Sequence, residues 1–99
     1  MLRMATARKS RMTQEQFDAI ARALADPRRF AILKQIAAQP TLGCGALKEH
    51  DTISPATISH HLKELQEAGL VDVAREGRCA NLTLRREMWD AYVAQLNSL

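Results

Sequence analysis

Apolar residues recur along this chain with two different spacings, and the switch between them sets the order of elements. In "TQEQFDAIARALA", Phe17, Ile20, Ala21 and Leu24 fall at i, i+3, i+4 and i+7, the signature of one helical face. Thr13, with Gln16 three residues on, makes a capping box that marks the start. A second helix is predicted over "ADPRRFAILKQIAAQP": Asp26 caps it, Pro27 suits its first turn, Phe30, Leu33, Ile36 and Ala37 form its buried stripe, and Pro40 closes it. "TLGCGALKEHD" reads as a short helix with Leu42, Ala46 and Leu47 inward. Gly43 and Gly45 weaken it intrinsically, so packing must hold it.

Ser54 then caps a helix that begins at Pro55, carries an apolar stripe of Ile58, Leu62 and Leu65, and stops at Gly69. Beyond it the period drops toward two. Val71 and Val73 alternate with Asp72 and Ala74, and Leu82 and Leu84 with Asn81 and Thr83, with Gly77 in the turn between them. The chain finishes with Trp89, Tyr92, Val93, Leu96 and Leu99 at helical spacing. The expected fold is mainly α with a two-stranded β-hairpin wing: four helices, a hairpin and a final helix, about five helices in all. Two strands alone are marginal, so the hairpin must lean on the helices. A short helix, a turn and an amphipathic helix followed directly by a hairpin is the plan of a winged helix-turn-helix.

Composition narrows the function classes. Ninety-nine residues make one domain with a modest core, which a second subunit would enlarge. No apolar run approaches the roughly 20 residues that cross a bilayer, so no membrane association is expected. The N-terminus lacks the apolar block of a secretory signal, and the cytoplasm is the expected location. The formal charge of +3 is unevenly spread: residues 1–12 hold Arg3, Arg8, Lys9 and Arg11 without an acid, whereas residues 13–99 hold 10 bases and 11 acids. Residues 1–12 therefore read as a basic arm and residues 13–99 as the folded domain. The body attracts phosphate only if its bases gather on one face.

On a wheel advancing about 100° per residue, Ile58, Leu62 and Leu65 cluster on one side of the fourth helix, with His61 beside them. Ala56, His60 and Lys63 lie nearly opposite, flanked by Thr57 and Ser59. Two readings compete for this outward face. One is an ordinary solvated surface. The other is a groove-reading surface, since a helix entering the major groove of double-stranded DNA needs short residues where backbone nears bases, and donors and acceptors for base edges. Ser54, Ala56, Thr57, Ser59, His60 and Lys63 supply those. The neighbouring short helix and hairpin favour the second reading. Arg75 and Arg78 flank the hairpin tip, where they form either a solvated turn or a phosphate contact.

Other chemistry finds little support. Consecutive His60 and His61 diverge by about 100° and do not readily share one ion; His61 is expected to be packed and hydrogen-bonded. Cys44 and Cys79 are too few for a disulfide scaffold and stand as packed or idle thiols, with a redox trigger as the alternative. No Gly-rich phosphate loop, His-Glu-x-x-His pattern or nucleophile elbow is present. Glu64 and Glu67 read as solvated. The expectation is a non-enzyme without metal or cofactor.

"ALADPRRFAILKQI" and "ISPATISHHLKELQEAGLVDVAREGR" together resemble the ArsR/SmtB-type winged-helix transcriptional repressors, over roughly residues 15–97. The first is similar to that family's leucine-x-aspartate-proline-x-arginine start of the second helix. The second is similar to its serine-x-histidine-leucine recognition helix, its alanine-glycine-leucine-valine exit and its glycine-tipped wing. The resemblance implies a homodimer that binds a palindromic operator and blocks transcription, with Phe17, Ile20, Leu24, Trp89, Tyr92, Val93 and Leu96 shared between monomer core and dimer interface. The departures are informative. "GCGAL" offers a lone Cys44 where metal sensors of the family commonly carry a cysteine-x-cysteine pair, and the last helix has no histidine or cysteine. Pro55 replaces a glutamine found in many relatives. The alternatives are a thiol- or ligand-gated sensor triggered through Cys44 or Cys79, and a winged-helix protein-interaction module.

Overall fold

The computed structural model describes residues 12–43, 54–77 and 79–99. Four helices and three strands occur among them: α1 Gln14–Leu24, α2 Pro27–Ala37, β1 Leu42–Gly43, α3 Pro55–Glu67, β2 Val71–Glu76, β3 Cys79–Leu84 and α4 Arg86–Asn97. The basic arm, Cys44, Arg78 and most of the expected short helix lie outside the described residues.

Helix starts are local events here. The Thr13 hydroxyl accepts the Gln16 N–H at 3.0 Å, and the Gln16 side chain accepts the Thr13 N–H at 2.9 Å, so the capping box closes in both directions. Asp26 accepts the N–H groups of Arg28 and Arg29 at 2.8 and 3.4 Å, and Pro27 opens α2. Its carboxyl is held below the ordinary value chiefly by the Arg28 N–H, against a smaller opposing effect of desolvation. α4 has no side-chain cap; the Arg85 guanidinium instead faces Glu87 at 3.2 Å and Asp72 at 3.9 Å.

The exit from α3 is a Schellman motif. The Leu70 N–H reaches back to the Leu65 carbonyl and the Gly69 N–H to that of Gln66, both at 3.0 Å. Gly69 sits at φ +85°, a left-handed conformation that costs residues with a Cβ. Leu65 and Leu70, joined across the motif, are both fully enclosed.

Two expectations for this region need correction. The short helix predicted from residue 41 does not start there, because Leu42–Gly43 is extended and pairs antiparallel with β3, Leu42 opposite Leu82 and Gly43 opposite Asn81. The wing is therefore a three-stranded sheet, ordered β1-β3-β2, rather than a two-stranded hairpin. Leu42 gains a buried place against the sheet, which outweighs the weak helical preference of a glycine-rich segment. The described helices number four rather than five.

The hairpin itself follows the period-two pattern. Val71 pairs with Leu84, Val73 with Leu82 and Glu76 with Cys79. The turn after β2 begins at Gly77, which takes φ +64°, a left-handed conformation open to glycine without steric cost.

The core gathers Ile20, Ile32, Ile36, Leu65, Leu70, Val71 and Leu82. Two stripe assignments shift. Ile32 joins Leu33 and Ile36 inside while Phe30 stays 37% exposed, and on α1 Ala23 is buried where Ala21 is exposed. α2 packs against α1, α3 and β3 together, so it buries an arc wider than one stripe and turned away from Phe30.

Candidate nucleic-acid interface

α3 is two-sided. Leu65 and His61 are buried, Ile58 and Leu62 pack partly buried against the core, and Ala56, Ser59, His60 and Lys63 are exposed along the opposite stripe. The N-terminal end is pre-ordered by Ser54, whose hydroxyl accepts the Thr57 N–H at 3.2 Å and lies 2.9 Å from the Thr57 hydroxyl. Ser54 and Thr57 are thus tied to each other at the helix start, whereas Ser59, His60 and Lys63 extend from the exposed face. Of the wing residues, Arg75 is exposed on β2 opposite Ala80.

The two histidines separate as the wheel requires. Their ring centroids are 6.1 Å apart and the planes are inclined by 49°. His61 is only 5% exposed, and neither of its ring nitrogens has a hydrogen-bond partner among the described residues. It was expected to be packed and hydrogen-bonded; the packing is found and the hydrogen bond is not. Burial lowers its pKa below the ordinary value, the Asp26 carboxylate opposes that shift, and the arginines nearby and His60 reinforce it.

Sequence reasoning missed the brace behind α3. Arg29, its side chain 13% exposed, lies 3.7 Å from Asp26 in its own helix and 3.4 Å from Glu64 in α3. Glu64 therefore partners α2 while part of its side chain stays in water. The available signal was the aspartate-proline-arginine-arginine run itself, with a cap and a buried cation three residues apart.

On the other side of the domain the Phe17 ring of α1 meets Tyr92 of α4 at 4.9 Å, and Trp89 stands 6.2 Å from Tyr92. Ile20 is completely enclosed by its own chain and Tyr92 nearly so. Leu24, Trp89 and Val93 are half-buried, and Leu96 and the terminal Leu99 are exposed. Among the described residues no three histidine, cysteine or acidic side chains converge on a metal-sized site, and no helix is long and apolar enough to cross a membrane.

A three-stranded wing behind a braced, two-sided helix defines a winged helix-turn-helix. Residues 24–74 match the family model described as a helix-turn-helix domain. The chain is 33% identical over 88 residues to the HTH-type transcriptional regulator YceK of Bacillus subtilis, spanning 83% of this chain and 88% of that protein. It is 32% identical over 84 residues to the arsenical resistance operon repressor of Staphylococcus xylosus, spanning 85% and 79%. A solved ArsR family transcriptional regulator shares the fold, with a TM-score of 0.77 at 24% identity over 88% of this chain and 89% of that one. The protein belongs to the ArsR/SmtB-type winged helix-turn-helix transcriptional regulators, which are not enzymes.

Proposed function

We propose that this regulator is a cytoplasmic, sequence-specific DNA-binding repressor that occupies a palindromic operator as a homodimer. The observation that supports this most directly is the division of α3 into a buried side braced by Arg29 and an exposed side carrying Ala56, Ser59, His60 and Lys63. In this reading the exposed side enters the major groove, with Ser54 and Thr57 ordering the helix start where its N–H groups approach phosphate. Arg75 and Arg78 contact the backbone from the wing. A relative named as an operon repressor supports repression, through occlusion of the promoter, as the sign of regulation.

What one chain leaves uncovered supports the dimer. Leu96 is exposed, and Trp89 and Val93 are half-buried along the same helix, α4. A two-fold contact using α1 and α4, with Phe17, Ile20, Leu24 and Tyr92 backing or joining it, would cover this strip and set two recognition helices one helical turn apart. The test is a mobility shift with an operator duplex across a salt series. Affinity is expected to fall steeply with salt and to drop broadly in Lys63→Ala; binding indifferent to both would remove α3 from the interface.

A further inference from the structure

Between α2 and α4 lies a half-open cleft of about 120 Å³. Phe30, Leu33, Leu84 and Trp89 give it apolar walls, and Lys34 and Arg86 are its only charged lining residues. Neither cation has a carboxylate partner among the described ion pairs; Glu87, beside Arg86, faces Arg85 instead. Lys34 Nζ sits 5.9 Å from the centre of the Phe30 ring, within cation–π range, which holds the ammonium beside the apolar wall. Phe30 itself is an aromatic residue left 37% exposed at the same place.

We propose that this cleft binds a small carboxylic acid with a single ring or a short branched chain. An apolar cavity with two uncompensated cations fits an apolar body bearing one negative charge: burial of the body is favourable, and the carboxylate takes charge-assisted contacts from Lys34 and Arg86. Size sets the upper limit. A closed cavity of about 150 Å³ accepts benzene, so this smaller, half-open one takes a single ring with the carboxylate at its mouth. Inorganic phosphate has the charge but nothing for the apolar walls. The cleft shares no residue with the exposed face of α3, so the ligand is not a surrogate for DNA. Trp89 connects through Tyr92 to Phe17, so an occupant bears on the pairing of α4 with α1. Any consequence for operator affinity rests on the DNA-binding reading above; ligand binding does not.

Trp89 is the only tryptophan in the chain, which makes the protein its own probe. Benzoate titrated into the DNA-free, full-length protein is expected to change Trp89 emission saturably, with a Kd of about 1 mM or tighter. The uncharged isostere benzamide should bind at least about tenfold more weakly, and inorganic phosphate should leave emission unchanged. Lys34→Gln and Arg86→Gln, both at exposed positions, should each weaken benzoate about tenfold while circular dichroism and melting stay as in the parent. The proposal is overturned if benzoate gives no saturable change, if benzamide or phosphate matches it, or if the folded double variant binds as the parent does. A repeat with operator present then separates the two readings: saturable binding without DNA stands whether or not the operator is recognised.

Discussion

Arg29 in α2 and Glu64 in α3 lie thirty-five positions apart in sequence, yet the Arg29 Nη1 stands 3.4 Å from Glu64 Oε1. Asp26 lies 3.7 Å from the same guanidinium, so one arginine bridges the start of α2 to α3. Its stem is largely buried, and Arg29→Ala loses packing as well as charge. The expected cost is about 1–2 kcal/mol. Glu64→Ala should cost less than about 1 kcal/mol, since that side chain keeps 39% of its surface in water. Urea unfolding of both variants, compared at constant slope, measures the ordering.

The exit from α3 makes a sharper demand. A Cβ on Gly69 would sit at φ +85° and 3.3 Å from the Met88 methyl. That methyl can move and the backbone cannot. Gly69→Ala is expected to destabilise the fold by about 1–2 kcal/mol, seen as an earlier thermal midpoint, whereas Gly43→Ala, with nothing within 4 Å of the added carbon, should change it far less.

Acid should weaken the fold through His61. Its folded pKa lies below the ordinary value of 6.5, so below pH 6.5 the unfolded chain binds more protons than the folded one and stability rises with pH. The contribution is complete above 6.5 and declines as pH falls from there toward the folded pKa. Asp26, also lowered, from 3.8, adds a second loss at stronger acid. His61→Leu should leave stability at pH 7 equal or higher, because it removes unbonded polar atoms from the interior, and should flatten the decline just below pH 6.5. Unfolding curves at pH 7 and in mild acid check this; an undiminished slope in the variant would place the titrating group elsewhere.

At the start of α1, Thr13 and Gln16 satisfy each other's backbone donors. Thr13→Ala should cost about 1 kcal/mol. Amide exchange should quicken first in the opening turn of α1, because that turn loses its partners while Ile20 keeps the helix anchored in the core.

Much of this fold could be read in the sequence because its signals are local. The Thr13 box, the Asp26–Pro27 and Ser54–Pro55 starts and the Gly69 and Gly77 turns are each decided within a few residues. The opposition of Leu65 to Lys63 on α3 needs only the helical period. What escaped depends on distant neighbours. Leu42 becomes a strand because Leu82 is there to pair with it. Ile32 replaces Phe30 in the core because α2 has three packing partners. Glu64 looks solvated on its own helix, and only the fold brings Arg29 to it. His61 was placed inward by the wheel, but its lack of a hydrogen bond is a property of the surrounding side chains, which periodicity does not describe.

The most direct test of the central claim is selection of bound duplexes from a random DNA library by the purified protein, with parent and Ser59→Ala, His60→Ala and Lys63→Ala proteins side by side. The account predicts an enriched inverted repeat with half-sites about one helical turn apart, altered preference at particular bases for the Ser59 and His60 variants, and broadly reduced affinity for Lys63→Ala. No enriched sequence, or the same sequence bound equally by all four proteins, would contradict it.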